Sequence, residues 1–191
     1  MAGGRADSGS SARADLVATG IRMFGQHGFG LGLREIAAEA GVTAGSVTYH
    51  FGGKTGFLAA CDRQVLDGAR IYLPAVMASG EREVQLRGND RTHLHLLRYL
   101  MRSLAESTAL VEPFIEILVD ATRTEVLAHF QAEHPDPGCV DTAARDVIRR
   151  TLGVAMLDHA LTAPTTAEEL QAMLTSWRNI GRDTIAVYRA R

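Results

Sequence analysis

A chain of 191 residues, 46% hydrophobic and 22% charged, is an ordinary globular protein with room for one large domain or a small one joined to a larger one. Its formal net charge of −2 does not advertise a nucleic-acid partner, and its two cysteines, Cys61 and Cys139, stand far apart with no C-x-x-C spacing for a zinc or redox site. No apolar run reaches the length of about 18 residues that spans a bilayer, and the opening stretch lacks the apolar centre of a signal peptide, so a cytoplasmic location is expected.

Strand signals are nearly absent, and apolar residues recur with helical spacing along most of the chain. The expectation is an all-α protein of about nine helices, with residues 1–12 as a disordered tail. A first helix is predicted over 11–27, with Leu16, Ala18, Ile21 and Phe24 on its inner side and Gly28 as a left-handed cap. Two short helices follow, over 33–40 and 43–51, separated by Gly41 and with Thr43 as an N-cap. A long helix is predicted from about Thr55 to about Met77, with Pro74 placed to kink or end it.

After a polar linker over 78–90, a helix is expected on RTHLHLLRYLMRSLAES, and another opens at Glu112-Pro113, where proline is tolerated. The latter reads as one helix or two before the break at 135–138. The last two helices are expected over 140–161 and from after TAPTT to about Tyr188. Thr166 and Glu169 stand at the spacing of a capping box.

The segment YHFGGKTG (49–56) contains Gly-Lys-Thr, the tail of a phosphate-binding P-loop, but Thr48 stands where that motif wants its first glycine, and no strand precedes it. Lys54, the chain's only lysine, therefore needs another setting. Residues 33–51 supply one. A short helix, a turn at Gly41 and a second short helix make a helix-turn-helix, whose second helix can enter a major groove. Ile36, Ala37 and Ala40 can face Val42 and Val47, leaving Thr43, Ala44, Ser46, Thr48, Tyr49 and His50 on the outer face. Small donors and acceptors with one aromatic suit phosphates, thymine methyls and base edges. Residues 1–60 hold five basic and four acidic side chains, so charge alone adds little.

The segment GFGLGLREIAAEAGVTAGSVTYHFGGKTGFLAACD resembles the DNA-binding region of TetR-type transcriptional regulators, over about residues 13–62. The resemblance rests on Gly28-Phe29, the REIAAEAGV helix and turn, the YHF end of the second helix and the lysine that opens the next one. It implies a helix-turn-helix domain over 13–58 and an effector-binding and dimerisation domain over 59–191. It further implies that Lys54 meets a DNA phosphate, and that Arg34 joins the outer-face residues in DNA contact. Three positions depart from the family's habit: Gly32 replaces a capping threonine or serine, Ala44 a basic residue, and Thr48 a tyrosine. Each lost phosphate contact lowers the salt dependence of binding by about one unit.

The same resemblance implies a homodimer and a small-molecule effector. For the dimer, Leu170, Met173, Leu174, Trp177, Ile180, Thr184 and Ile185 form an apolar stripe on the last helix, and Val147, Thr151, Ala155 and Met156 lie on the helix before it. Both stripes could instead be buried within one subunit. An apolar pocket could be lined by Leu97, Met101, Leu104, Phe114, Ile117, Leu118, Phe130 and His159, residues that equally suit plain core. His93 and His95 are two apart and so point to different sides of a helix, which is not a metal-ligand spacing. No hydrolase, zinc-protease or dinucleotide motif is written in the chain, so neither an enzyme nor a metal or organic cofactor is expected. The expected function is a regulator, in the first instance a repressor, that leaves a palindromic operator when an apolar effector binds. The alternative is a helical protein that sequesters a ligand or partner and has little affinity for DNA.

Overall fold

The computed structural model describes residues 5–78, 90–129 and 137–189, and these contain eight α-helices and no strand. In chain order they are α1 (Arg5–His27), α2 (Leu33–Glu39), α3 (Ala44–Phe51), α4 (Lys54–Ala78), α5 (Asp90–Glu106), α6 (Val111–His129), α7 (Pro137–Leu161) and α8 (Ala167–Arg189). Helical structure thus begins at Arg5, inside the stretch expected to be a disordered tail. α4 runs on to Ala78, so Pro74 does not end it, and α6 is a single helix to His129. Most of the helix ends lie within a few residues of those the local signals predict, because caps are local chemistry. Thr43 Oγ1 accepts the Ser46 N–H at 3.1 Å. Thr166 Oγ1 accepts the Glu169 N–H, and Glu169 Oε2 accepts the Thr166 N–H, both at 3.2 Å, which completes the predicted capping box.

The chain divides into two compact units. The first takes in the described residues up to Asp67 together with His95–Thr108; the second comprises the described residues of Gly68–Leu94 and those from Ala109 onward. α4 and α5 each contribute to both.

The first unit is built around an aromatic cluster. Phe24 and Phe57 are fully buried, with ring centroids 6.1 Å apart, and Phe51 meets Phe57 edge-on at 4.9 Å. Phe29, half-buried, stacks on Phe24 at 5.5 Å. Tyr99, from α5, closes the cluster edge-on to Phe29 at 5.1 Å. Burying each such ring is worth about 1.5–3 kcal/mol. Two glycines of α1 set the spacing. A Cβ on Gly20 would stand 2.5 Å from the Phe57 ring, and one on Gly25 would stand 3.0 Å from the Tyr99 backbone nitrogen. On α1, Leu16, Ile21 and Phe24 face inward as expected, but Ala18 is exposed and Val17 and Met23 take the remaining inner positions.

The second unit has its core between α6, α7 and α8. Val119, Val126, Val140, Ala143, Ala144, Val147, Ile148 and Ile185 form one buried cluster, with Ile115, Leu118 and Leu152 packed on its margin. Ion pairs stitch α6 to α7 at its surface: Arg145 bonds Glu116 at 3.0 Å and Asp141 at 2.9 Å, and Arg123 bonds Asp120 and Asp141.

Candidate nucleic-acid interface

α2 and α3 form a helix-turn-helix. Ile36, Ala37 and Val47 are buried to 1% exposure or less and hold the two helices together. Ala40 is half-buried, and Val42 is exposed rather than facing this seam. The turn needs Gly41, which has φ +68°, a conformation that side chains with a Cβ rarely adopt. The Val42 N–H reaches back to the Ala37 carbonyl at 2.9 Å and closes the end of α2. Gly32 has no side chain to cap that helix. Glu35 reaches back instead, accepting the Gly32 N–H at 2.8 Å.

Burying Val47 and Phe51 turns the opposite side of α3 outward. Thr48, Tyr49 and His50 are exposed, Ala44 and Ser46 half-exposed. Tyr49 is 85% exposed, an unusual position for a large aromatic side chain, with its ring edge-on to His50 at 5.3 Å. The Thr48 hydroxyl donates to the Ala44 carbonyl at 3.0 Å, so it offers a partner its methyl and a lone pair rather than its proton. Thr43 Oγ1 is engaged in capping but keeps its own proton to donate. Arg34 is exposed in the first turn of α2.

α3 ends at Gly52 (φ +73°), Gly53 follows at φ +110°, and α4 starts at Lys54. The corner is tight on its inner side, where a Cβ on Gly56 would stand 1.8 Å from the Phe51 carbonyl oxygen. It is open on its outer side: a Cβ on Gly52 or Gly53 would meet nothing within 4 Å. Arg13 of α1 lies over the Phe51 ring, 4.8 Å from its centroid.

A family model described as bacterial regulatory proteins of the tetR family matches residues 16–61, the stretch that contains this helix-turn-helix and the start of α4. Over that stretch the chain is similar to the DNA-binding region of TetR-family regulators. It is 35% identical over 112 residues to the HTH-type transcriptional regulatory protein RaaS of Mycobacterium tuberculosis, covering 58% of this chain and 53% of that protein. It is 37% identical over 59 residues to the HTH-type transcriptional dual regulator CecR of Shigella flexneri, which is 31% of this chain and 26% of that one. The chain therefore spans about half the length of the first of these relatives and about a quarter of the second. Among solved structures its fold matches SmeT, the repressor of the Stenotrophomonas maltophilia multidrug efflux pump SmeDEF, with TM-score 0.60 and 20% identity over 92% of this chain and 89% of that one.

Of the residues considered for a TetR-type effector pocket, Leu97, Met101 and Leu104 belong to the first unit, and Phe114, Ile117, Leu118 and His159 to the second. Leu97, Met101 and Phe114 are buried; Leu104, Ile117, Leu118 and His159 are half-buried. Leu118 packs on the α6–α7–α8 core. Phe130 lies outside the described residues. His93 is buried, with its ring edge-on to Tyr72 at 4.7 Å.

Of the candidate dimer residues, Val147, Ala155 and Trp177 are buried within the protomer, and the Trp177 Nε1–H donates to Asp158 at 2.9 Å. Thr151, Met173, Leu174, Ile180 and Thr184 remain half-exposed. Beside them Leu157 (59%) and Leu161 (73%) are far more exposed, and the sequence reading did not single them out. Their separation of four residues, on the outer side of a helix whose inner face is already known, is the signal that finds them. No helix among the described residues is long and apolar enough to cross a membrane.

Proposed function

We propose that this chain is a sequence-specific DNA-binding regulator that acts as a homodimer, one subunit on each half of a palindromic operator. The observation that carries the reading is the outward face of α3. A helix whose inner side is fixed by Val47 and Phe51 presents Thr48, Tyr49 and His50 to the surroundings, with Tyr49 85% exposed. Such a face suits base edges and thymine methyls in a major groove. Arg34, Thr43, Ala44 and Ser46 border it, and Lys54 stands at the start of the next helix, where a cation meets the DNA backbone. In a two-fold dimer the paired α3 helices read half-sites about one turn of DNA apart, ~34 Å. DNA-bound action of this kind places the protein in the cytoplasm, and it is not an enzyme.

A small apolar effector bound by the second unit, with Phe114, Ile117, Leu118 and His159 as the candidate residues there, would release a repressor from its operator. SmeT, a repressor of the same fold, supports that direction of control. α4 is the natural coupling element, since it starts at Lys54 and continues into the second unit. An effector needs only to prefer one of two conformers, by about 1–3 kcal/mol, to shift operator affinity measurably.

The test is selection of bound duplexes from a random pool at about physiological salt, where non-specific phosphate binding is weak. Recovery of a palindrome supports the reading. Recovery of no sequence preference overturns it in favour of a helical protein that sequesters a ligand or partner.

A further inference from the structure

We infer that Arg13 is a DNA-backbone contact, a second cation that works with Lys54 across the α3–α4 corner. The inference rests on the DNA-binding reading above and adds a residue of α1 to it. Arg13 is exposed, and its guanidinium carbon lies 4.8 Å from the centroid of the Phe51 ring, within the distance at which a cation is attracted to an aromatic face. The platform is rigid: Phe51 is 8% exposed and locked edge-on against the fully buried Phe57 at 4.9 Å. A ring holds a guanidinium through its planar face and leaves the N–H donors at its edge unspent.

No carboxylate among the described residues pairs with Arg13 or with Lys54. Two other arginines of the same unit are paired, Arg22 with Glu39 at 2.5 Å and Arg102 with Glu106 at 3.7 Å. The sequence explains the difference. Arg13 has Leu16 and Val17 at helical spacing ahead of it, and Lys54 has Phe57 and Leu58, so neither meets an acid on its own helix. Between the two cations the chain is bare: Gly52 and Gly53 leave open space where side chains would stand. Two unneutralised cations near the end of α3, one over Phe51 and one opening α4 after an open glycine corner, match the sugar-phosphate backbone of the duplex that this helix reads. Contacts of that kind position a protein without reading sequence.

The experiment compares the full chain with Arg13→Ala, Arg13→Lys, Lys54→Ala and the double alanine variant. Each is titrated with the selected duplex and with a scrambled duplex between about 50 and 200 mM salt. Arg13→Ala is expected to weaken both complexes by the same factor and to lower the slope of log affinity against log salt by about 0.9, and the double variant by about twice that. Arg13→Lys keeps the slope. Thermal unfolding of Arg13→Ala should stay close to wild type, because all the protomer loses is one exposed cation–π contact with Phe51. If wild type binds the duplex and Arg13→Ala binds with unchanged slope, the inference is wrong and the DNA-binding reading stands. If Arg13→Ala loses only the selected duplex, the residue reads bases and the backbone assignment is overturned. If wild type binds no duplex, both readings fall.

Discussion

The Tyr99 hydroxyl donates a 2.7 Å hydrogen bond to Asp62 Oδ1, and this bond ties α5 to α4 inside the unit that carries the helix-turn-helix. Tyr99 is fully buried, so its hydroxyl has no water to fall back on. Burial also pushes the Asp62 carboxyl above its ordinary value of 3.8, against the opposing effect of the Tyr99 bond. A raised native value means that the folded protein holds the proton more tightly than the unfolded chain. Asp62 therefore lowers stability as pH rises through the window just above 3.8, and the cost is fully present at neutral pH. Asp62→Asn keeps an acceptor for Tyr99 and removes the charge. It is expected to be at least as stable as wild type at pH 7, with the gap closing on acidification. Asp62→Ala leaves the hydroxyl unpaired and should lose about 1–3 kcal/mol. Urea unfolding of the three proteins from pH 4 to pH 8 checks this, and Asp62→Asn proving as unstable as Asp62→Ala would refute it. Differences from wild type are the quantity to compare, because Arg123 and Arg145 hold Asp141 below its ordinary range and give the whole protein an opposite acid-side trend.

Gly56 is expected to be the least replaceable residue of the corner. A Cβ there would stand 1.8 Å from the Phe51 carbonyl oxygen and 3.0 Å from its carbon, both backbone atoms that cannot rotate away. Gly56→Ala must move the start of α4 relative to α3, and overpacking of this kind costs about 1–3 kcal/mol. The displacement also moves Lys54 relative to Tyr49. The variant should therefore show a lower urea midpoint and weaker duplex binding together. A variant of unchanged stability would mean that the corner yields more easily than its geometry implies.

The face through which the proposed homodimer would pair can be located by charge. Val147, Ala155 and Trp177 are already covered within the protomer, so a partner would be met through Leu157 and Leu161, exposed and four residues apart on α7, and through the half-exposed Met173, Leu174 and Ile180 of α8. Placing an unpaired charge in such an interface costs about 3–5 kcal/mol. Leu157→Glu and Leu161→Glu should each convert a dimer to a monomer in sedimentation at micromolar concentration, with thermal stability of the protomer little changed. Persistence of the dimer in both would move the interface to another face.

What could be read from the sequence follows how far each interaction reaches along the chain. The helix starts at Thr43 and Thr166 and the turn at Gly41 depend on atoms three or four residues apart, and each has a written signature. The outer face of α3 follows from the same short-range logic once Val47 and Phe51 are recognised as its inner side. Tyr99 and Asp62 are 37 residues apart, and no local pattern announces that the end of α5 completes the first unit. Gly20 and Gly25 mark where Phe57 and the α5 backbone come close, and no local pattern announces either approach. Ala18 and Val42 are apolar at spacings that predict inner positions, and both are exposed: small apolar residues tolerate either side, so periodicity alone does not place them. Gly32 leaves one end of α2 without the expected hydroxyl, and the compensating contact from Glu35 is legible only as a half capping box.

Lys54→Ala and Tyr49→Ala separate holding DNA from reading it. Lys54 opens α4 with no carboxylate partner among the described residues, so its loss should weaken selected and scrambled duplexes alike and lower the salt slope by about 0.9. Tyr49 projects from α3 at 85% exposure and packs on little besides His50, so its removal should leave the fold and the salt slope unchanged. Its loss should instead reduce preference for the selected sequence, by about 1–3 kcal/mol if the ring meets a base edge or a thymine methyl. Competition titrations of selected against scrambled duplex at one salt concentration give the preference directly. If Tyr49→Ala weakened both duplexes equally, the ring would be bracing the backbone, and the reading of sequence would pass to Thr43, Ser46 and His50.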